Sequence, residues 1–361
     1  MNLALYFRHF TAYQLSTNTR FLPHISAFIL GIIWHYLQYS FLFPLLIGIS
    51  MSVLIFYYHR TIFRYNIILF STFIVGYVIM AYHENHYLTT HKKLIYYTPL
   101  ICTAEVISLE KIDTSLWRWC MIIQLHQTKH LEHINKHQAT LAIYQRRKPL
   151  CTPGDTIDID QIVLKNTDNE SYAQYLKKEH VHATAFCQNS CITILKHPDW
   201  SFQRLQYDIK QYFLRALKQA LTPDTFALVS SLFFGNKAVV KRTLDQQKQW
   251  FNLWGLSHYL ARSGLHLVLF VYCWHVILNA VPLHFLIKHI VLLILCCLYA
   301  LFSWSSISFM RAFLLIIAYK GCVFLNVPIY APYLIILVTF VTLIHNPYQL
   351  FFLDFQLSFS L

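Results

Sequence analysis

The chain has 361 residues, 56% of them hydrophobic and only 12% charged, with a formal net charge of +13. Soluble domains carry about a quarter of their residues as Asp, Glu, Lys or Arg, so this composition excludes an ordinary soluble enzyme and points to an α-helical polytopic membrane protein. A net positive charge on so apolar a chain favours polyanions or anionic membrane lipid as partners.

A bilayer span needs about 17 to 25 apolar residues, and residues 21–58 contain no Asp, Glu, Lys or Arg. The first candidate spans are 21–37, 41–58 and 66–82, which together make residues 1–84 an N-terminal group of transmembrane helices. The first is not read as a signal peptide, because further spans follow at once and no small-residue cleavage site is evident. Arg8 and Arg20 precede the first span, and Arg60 and Arg64 lie between the second and third. The positive-inside rule then puts the N-terminus in the cytoplasm and delivers the next segment to the other side.

That segment, 85–198, is expected to be soluble and extracytoplasmic, since residues 85–195 hold 12 basic and 10 acidic residues. Runs rich in β-branched and aromatic residues at 117–125, 139–144 and 156–163 are separated by Pro149 and by Pro153-Gly154-Asp155. Short strands at this spacing predict an inserted small β-barrel, with a helix over 171–181 and a further strand over 183–186. Trp117-Arg118-Trp119 and Tyr144-Gln145-Arg146-Arg147-Lys148 interleave aromatic and basic residues. Trp117, Arg118, Trp119, Tyr144, Arg146, Arg147 and Lys148 are therefore secondary candidates for stacking bases and holding phosphates. The same alternation also builds a half-buried strand, and both readings stand.

His126, His130, His133 and His137 have helical spacing, but strands surround them and no ligand signature accompanies them, so no metal site is expected. Of nine cysteines, five lie in this domain. Cys187 and Cys191 are close enough in sequence to bridge in an oxidising compartment, although spacing alone does not fix connectivity. Residues 199–222 follow as an amphipathic helix, with Phe202, Leu205, Ile209, Tyr212, Phe213, Ala216 and Leu217 at helical spacing among Arg204, Lys210, Arg215 and Lys218. Such a helix suits the membrane interface.

Residues 223–361 return to apolar sequence, with candidate spans at 265–281, 289–304, 309–324 and 330–344. Between a basic patch, Lys237, Lys241 and Arg242, and the first of these spans lies the stretch Gly255-Leu256-Ser257-His258-Tyr259-Leu260-Ala261-Arg262-Ser263-Gly264-Leu265-His266-Leu267. Polar groups at membrane depth face a bundle interior or a water-filled path, and a helix interrupted at Gly264 exposes backbone beside Ser263 and His266. The alternative is that Ser257, His258, Ser263 and His266 simply hydrogen-bond between helices. Arg262 has two roles open to it, contacting phosphate or snorkelling to a headgroup. Arg311 is the only formally charged residue between Lys288 and Lys320. A charge at mid-span costs at least about 2.5 to 3.5 kcal/mol, so Arg311 should meet a polar lumen, an interface or a partner such as Asp354.

The signature closely resembles that of the ComEC family of competence proteins. So do Leu228-Val229-Ser230-Ser231-Leu232-Phe233-Phe234-Gly235-Asn236 ahead of it, Phe309-Met310-Arg311-Ala312 and Asn346-Pro347 after it, and Asp354-Phe355-Gln356-Leu357-Ser358-Phe359 near the end. Pro153-Gly154-Asp155, Tyr172-Ala173-Gln174-Tyr175-Leu176 and His182-Ala183-Thr184-Ala185 resemble the family's OB-fold-like domain. Arg262 stands where the commonest form of the motif has an apolar residue.

The resemblance implies a multi-pass protein of the bacterial inner membrane that conducts single-stranded transforming DNA during natural competence, without covalent chemistry or a cofactor. The DNA path would run by Ser257, His258, Arg262, Ser263, Gly264, His266, Arg311, Asp354, Gln356 and Ser358. A competence DNA receptor and cytoplasmic DNA-processing proteins would be its partners, with a second copy or a split-channel partner completing the path. Many family members continue into a metallo-β-lactamase-like domain whose His-x-His-x-Asp-His signature is absent from this sequence, so no nuclease activity is expected. Two other readings stay open. Ser263 with Gly264 and His266 loosely resembles a serine intramembrane hydrolase, although Ala261 occupies the place of a glycine in Gly-x-Ser-Gly. A non-conducting scaffold of the uptake machinery is the other.

Overall fold

The computed structural model describes residues 22–41, 44, 48, 60–96, 98–111, 119–128, 139–165, 169–187, 191–234, 253, 264–282, 284–303, 307–328 and 330–360. In chain order these form α1 (Leu22–Tyr36), α2 (Arg60–Tyr96), β1 (Leu100–Lys111), β2 (Trp119–Thr128), β3 (Thr140–Gln145), β4 (Thr156–Ile162), β5 (Leu164–Lys165), α3 (Glu170–Lys178), β6 (Ala183–Phe186) and β7 (Ile192–Lys196). Then follow α4 (Phe202–Ala220), α5 (Pro223–Phe234), α6 (Gly264–Ala280), α7 (Phe285–Ser303), α8 (Ile307–Phe324), α9 (Ala331–His345), a 3-10 turn (Pro347–Phe351) and α10 (Leu353–Ser360). The chain divides into two units, Met1–His86 with Leu314–Leu361, and Tyr87–Phe313.

Six of the seven expected spans coincide with apolar helices, and the seventh, 41–58, lies outside the described residues apart from Phe41, Pro44 and Gly48. Among the described residues one helix, Ile67–Tyr96 within α2, is long and apolar enough to cross a membrane by length and composition. Shorter apolar helices are α1, His266–Ala280, Phe285–Leu301 and α9.

In the first unit α1 and α2 cross in backbone contact. A Cβ at Gly31 would overlap the Phe73 carbonyl, and one at Gly76 would overlap the Phe28 carbonyl. Small residues at a crossing let helices gain dispersion contact without a hydrophobic drive. Phe28, Ile32 and Met80 are fully buried around it. Phe28 packs on Phe340 at 4.5 Å between centroids, and Tyr36 stacks on Phe351 at 3.8 Å.

The second unit begins with a seven-stranded mixed sheet in the order β5-β6-β3-β2-β1-β4-β7. Only β3 and β6 run parallel; the remaining ladders are antiparallel. Alternate residues Leu100, Cys102, Ala104 and Val106 of β1 turn inward with Met121, Ile123 and Leu125 of β2, Leu141 and Ile143 of β3, and Ile157 and Ile159 of β4. The order is open, which corrects the expected barrel. Closure stops short for a local reason. The strand begun at Thr156 carries a positive φ of 49° at Gln161 and breaks at Val163. β5 then adds only the pairs Leu164 with Ala185 and Lys165 with Thr184.

The end of α2 docks on this sheet. The Tyr87 hydroxyl donates to the Val181 carbonyl at 2.9 Å, the ring stacks on His182 at 5.2 Å, and His91 Nδ1 meets the His182 carbonyl at 2.5 Å. The Thr140 amide donates to His182 Nδ1 at 3.1 Å, which fixes that nitrogen as the unprotonated one. At the exit of the domain, Asp155 is fully buried and accepts from the Thr152 amide at 2.6 Å, the Thr152 hydroxyl at 2.9 Å and His197 Nδ1 at 2.8 Å. Gly154 has φ +91°, and a Cβ there would collide with Ser201, the residue before α4. The Pro-Gly-Asp turn thus clasps the start of α4 to the sheet.

Candidate functional site

Pro282 follows the end of α6 and lacks the amide needed to continue it. Gly264, at the first described turn of α6, is held against α8. The Gly264 amide donates to the Ser308 hydroxyl at 3.2 Å, and a Cβ on Gly264 would sit 2.9 Å from both the Ala312 Cβ and the Ser308 carbonyl oxygen. Residues three or four apart share a helix face, so the turn that receives Gly264 is the turn carrying Arg311. Rings pin the three helices together: Phe270 of α6 stacks on Tyr299 of α7 at 4.7 Å, and Tyr299 meets Phe309 of α8 edge-on at 5.6 Å. Arg311 is half-buried, and so is His266 on the first turn of α6.

Of the path residues expected from sequence, the structure brings Gly264 and Arg311 to one place. Ser257, His258, Arg262 and Ser263 lie outside the described residues, and with Ser263 goes the feature behind the hydrolase reading. Asp354, Gln356 and Ser358 belong to the first unit, and Arg311 to the second. On α10, Asp354 and Gln356 are exposed, with Gln356 Nε2 donating to the Leu350 carbonyl at 3.1 Å. Ser358 is buried, and its hydroxyl has no hydrogen-bond partner among the described residues; the same holds for Gln349 Oε1 in the 3-10 turn.

In the sheet domain, Trp117 and Arg118 fall outside the described residues, while Trp119 opposes Gln145 and packs on the core. Tyr144 turns outward beneath α3, where its hydroxyl meets the Tyr172 hydroxyl at 2.7 Å and its ring meets Phe186. Burial, then the bond to Tyr172, raises the Tyr144 pKa. Arg146, Arg147 and Lys148 are exposed in the turn after β3. Cys187 and Cys191, expected to be able to bridge, form no disulfide, and both lie against the sheet core. His126 lies on β2 with Nε2 3.3 Å from Glu105 Oε2, and the other three histidines of that stripe are outside the described residues. No group of three or more His, Cys, Asp or Glu that could hold a metal ion is found among the described residues.

Sequence reading missed two residues, Ser308 and Gln145. A serine next to a masking aromatic run gives no pattern, and Ser308 acts only through its contact across helices. Gln145, the polar member of an inward-facing strand row, stands between Tyr144 and three basic residues that drew attention instead.

Residues 232–361 match the family model described as Competence protein. ComE operon protein 3 of Bacillus subtilis (strain 168) is 26% identical over 192 residues, covering 52% of this chain and 24% of that protein. The chain thus spans about a quarter of the length of that relative. No solved structure matches the chain. Gly264, Ser308, Arg311 and Ala312 all fall within the matched segment. Over that segment the chain is similar to competence proteins of the ComEC type.

Proposed function

We propose that this chain is part of a bacterial inner-membrane channel that admits single-stranded transforming DNA to the cytoplasm during natural competence. The observation that carries the reading is the docking of Gly264, in the polar signature, onto the Arg311 turn of α8 inside the competence-family segment. A cation held half-buried in a membrane-grade helix suits a path for phosphate, because backbone charge dominates nucleic-acid affinity and ignores sequence. Val268, Leu269, Tyr272, Val276 and Ile277 of α6 and Leu286, Ile287, Ile290, Ile294 and Leu298 of α7 are exposed. Apolar outer faces of this kind support several crossings with lipid outside.

In this reading residues 1–84 and 223–361 supply the membrane helices, 85–198 an extracytoplasmic domain and 199–222 an interfacial helix, on which Phe202, Leu205, Tyr212 and Phe213 stay exposed. Signature residues Ser257, His258, Arg262, Ser263 and His266 line the path with Arg311, and Asp354, Gln356 and Ser358 contribute further along it. A DNA receptor outside and DNA-processing proteins inside complete the route, with transport rather than covalent chemistry as the task. The test is transformation in the native host. Arg311→Ala lowers transformants at least tenfold at unchanged membrane abundance, and Arg311→Lys recovers part of the loss. Wild-type transformation by Arg311→Ala would remove Arg311 from the path.

A further inference from the structure

A cavity of about 190 Å³ opens at the end of β3 and is lined by Gln145, Pro149, Leu150, Cys151, Ile192 and Ile194. Five of its lining residues offer apolar side chains or a thiol, and burial holds that thiol above its ordinary range, to about 11, so Cys151 is a poor ligand or nucleophile there. Gln145 is the exception. Its side chain lies on the inward row of β3 with Leu141 and Ile143, is 1% exposed, and neither Oε1 nor Nε2 has a hydrogen-bond partner among the described residues. A buried amide without partners is costly. An apolar side chain of like size would serve the fold better, so the amide at a cavity wall points to a ligand that completes it.

We propose that this cavity takes one nucleobase of a single strand, with Gln145 as the group that meets the base edge. The proposal rests on the DNA-uptake reading above and names a contact for it. The Gln145 amide presents one acceptor oxygen and one NH₂ donor side by side, and every base offers a neighbouring donor and acceptor on its pairing edge. One amide therefore serves all four bases, as a carrier of arbitrary sequence requires. Leu150 is 83% exposed at the rim and provides an apolar surface for a base face. The exposed turn Arg146-Arg147-Lys148 runs directly from Gln145 to the Pro149 wall, setting cations beside the cavity for flanking phosphates.

The test uses the whole chain in nanodiscs and a fluorescent single-stranded oligonucleotide of about 12 nucleotides, within the range of site sizes known for OB folds. Gln145→Leu removes the amide at nearly constant volume. The expected result is opposite in sign for two readouts: affinity falls about tenfold while the unfolding temperature rises. Arg147→Ala weakens binding less and reduces the salt dependence, and thymidine monophosphate competes where inorganic phosphate at equal concentration does not. Unchanged affinity in Gln145→Leu overturns the base pocket while leaving DNA binding intact. Equal competition by inorganic phosphate overturns it in favour of a phosphate-only surface, and displacement by added lipid but not by nucleotide overturns it in favour of a lipid site. No binding by the wild-type chain would instead count against the DNA-uptake reading itself.

Discussion

His182 is held by one nitrogen. Its Nδ1 accepts the Thr140 amide while its ring stacks on Tyr87, so His182→Phe keeps the stack and leaves a partly buried N–H without that acceptor. Loss of such a partner costs about 1 to 3 kcal/mol; thermal unfolding of the detergent-solubilised chain should fall accordingly, and His182→Asn, whose carbonyl can accept in place of Nδ1, should recover part of it. The buried thiols give a pH signature. Burial, then the neighbouring Asp158 charge, pushes Cys102 from 9.0 up to about 12. The folded chain keeps this proton where the unfolded chain has lost it, so stability is intact below pH 9 and declines above it, by about 1.4 kcal/mol per pH unit for each such thiol. Urea unfolding at about pH 8.5 and about pH 10.5 should show that decline, and Cys102→Ala should make it shallower while Cys120 and Cys151 keep the remainder. Sequence alone marked 183–186 as a strand, the residues β6 occupies, because a strand's pattern is local. The hydrogen bond that uses the ring is not local, and nothing within four residues announces it.

Glycines decide how the elements meet. Gly264→Leu forces α6 away from Ser308 and Ala312, so DNA uptake in the native host should drop well below that of Gly264→Ala, and Ala312→Gly should restore part of what Gly264→Ala loses. At Gly154 the left-handed φ and the adjacent Ser201 leave no room for a methyl group. Gly154→Ala should therefore destabilise the sheet domain and the start of α4 together, seen as a single lowered transition. Apolar run length made α1, α6, α7, α8 and α9 readable to within a few residues, and β6 occupies the expected 183–186. β1 escaped notice although its inward positions alternate cleanly: Glu105, Glu110 and Lys111 dilute its apolar character. β5 and β7 are edges, whose short ladders depend on partners far along the chain. Helix α2 was expected to end near residue 82 and continues to Tyr96, since Tyr87 and Leu94 find burial against the sheet domain.

For the whole molecule, the extracytoplasmic placement proposed for the sheet domain rests on four arginines near the N-terminus. Leu150→Cys, at an exposed rim, should take up membrane-impermeant maleimide in intact spheroplasts beyond the level set by the native cysteines of the parent chain. Labelling only after permeabilisation would reverse the orientation. The linear division drawn from composition, membrane then soluble then membrane, does not anticipate that Leu314–Leu361 groups with Met1–His86. Periodicity reports which face of a helix is apolar, and it is silent on which other helix that face will meet.

The bent strand from Thr156 to Lys165 pairs with β1 along its first part and with β6 by two residues at its tip. It works as a hasp on the sheet domain. Two cross-strand pairs are the least that any neighbouring strands here share, so thermal opening should begin at that tip, exposing Thr184 and Ala185 before the β1–β2 ladder loosens. A domain that unlatches at one seam can admit or release a guest without unfolding, and the opening is then confined to Leu164 and Lys165 and their partners.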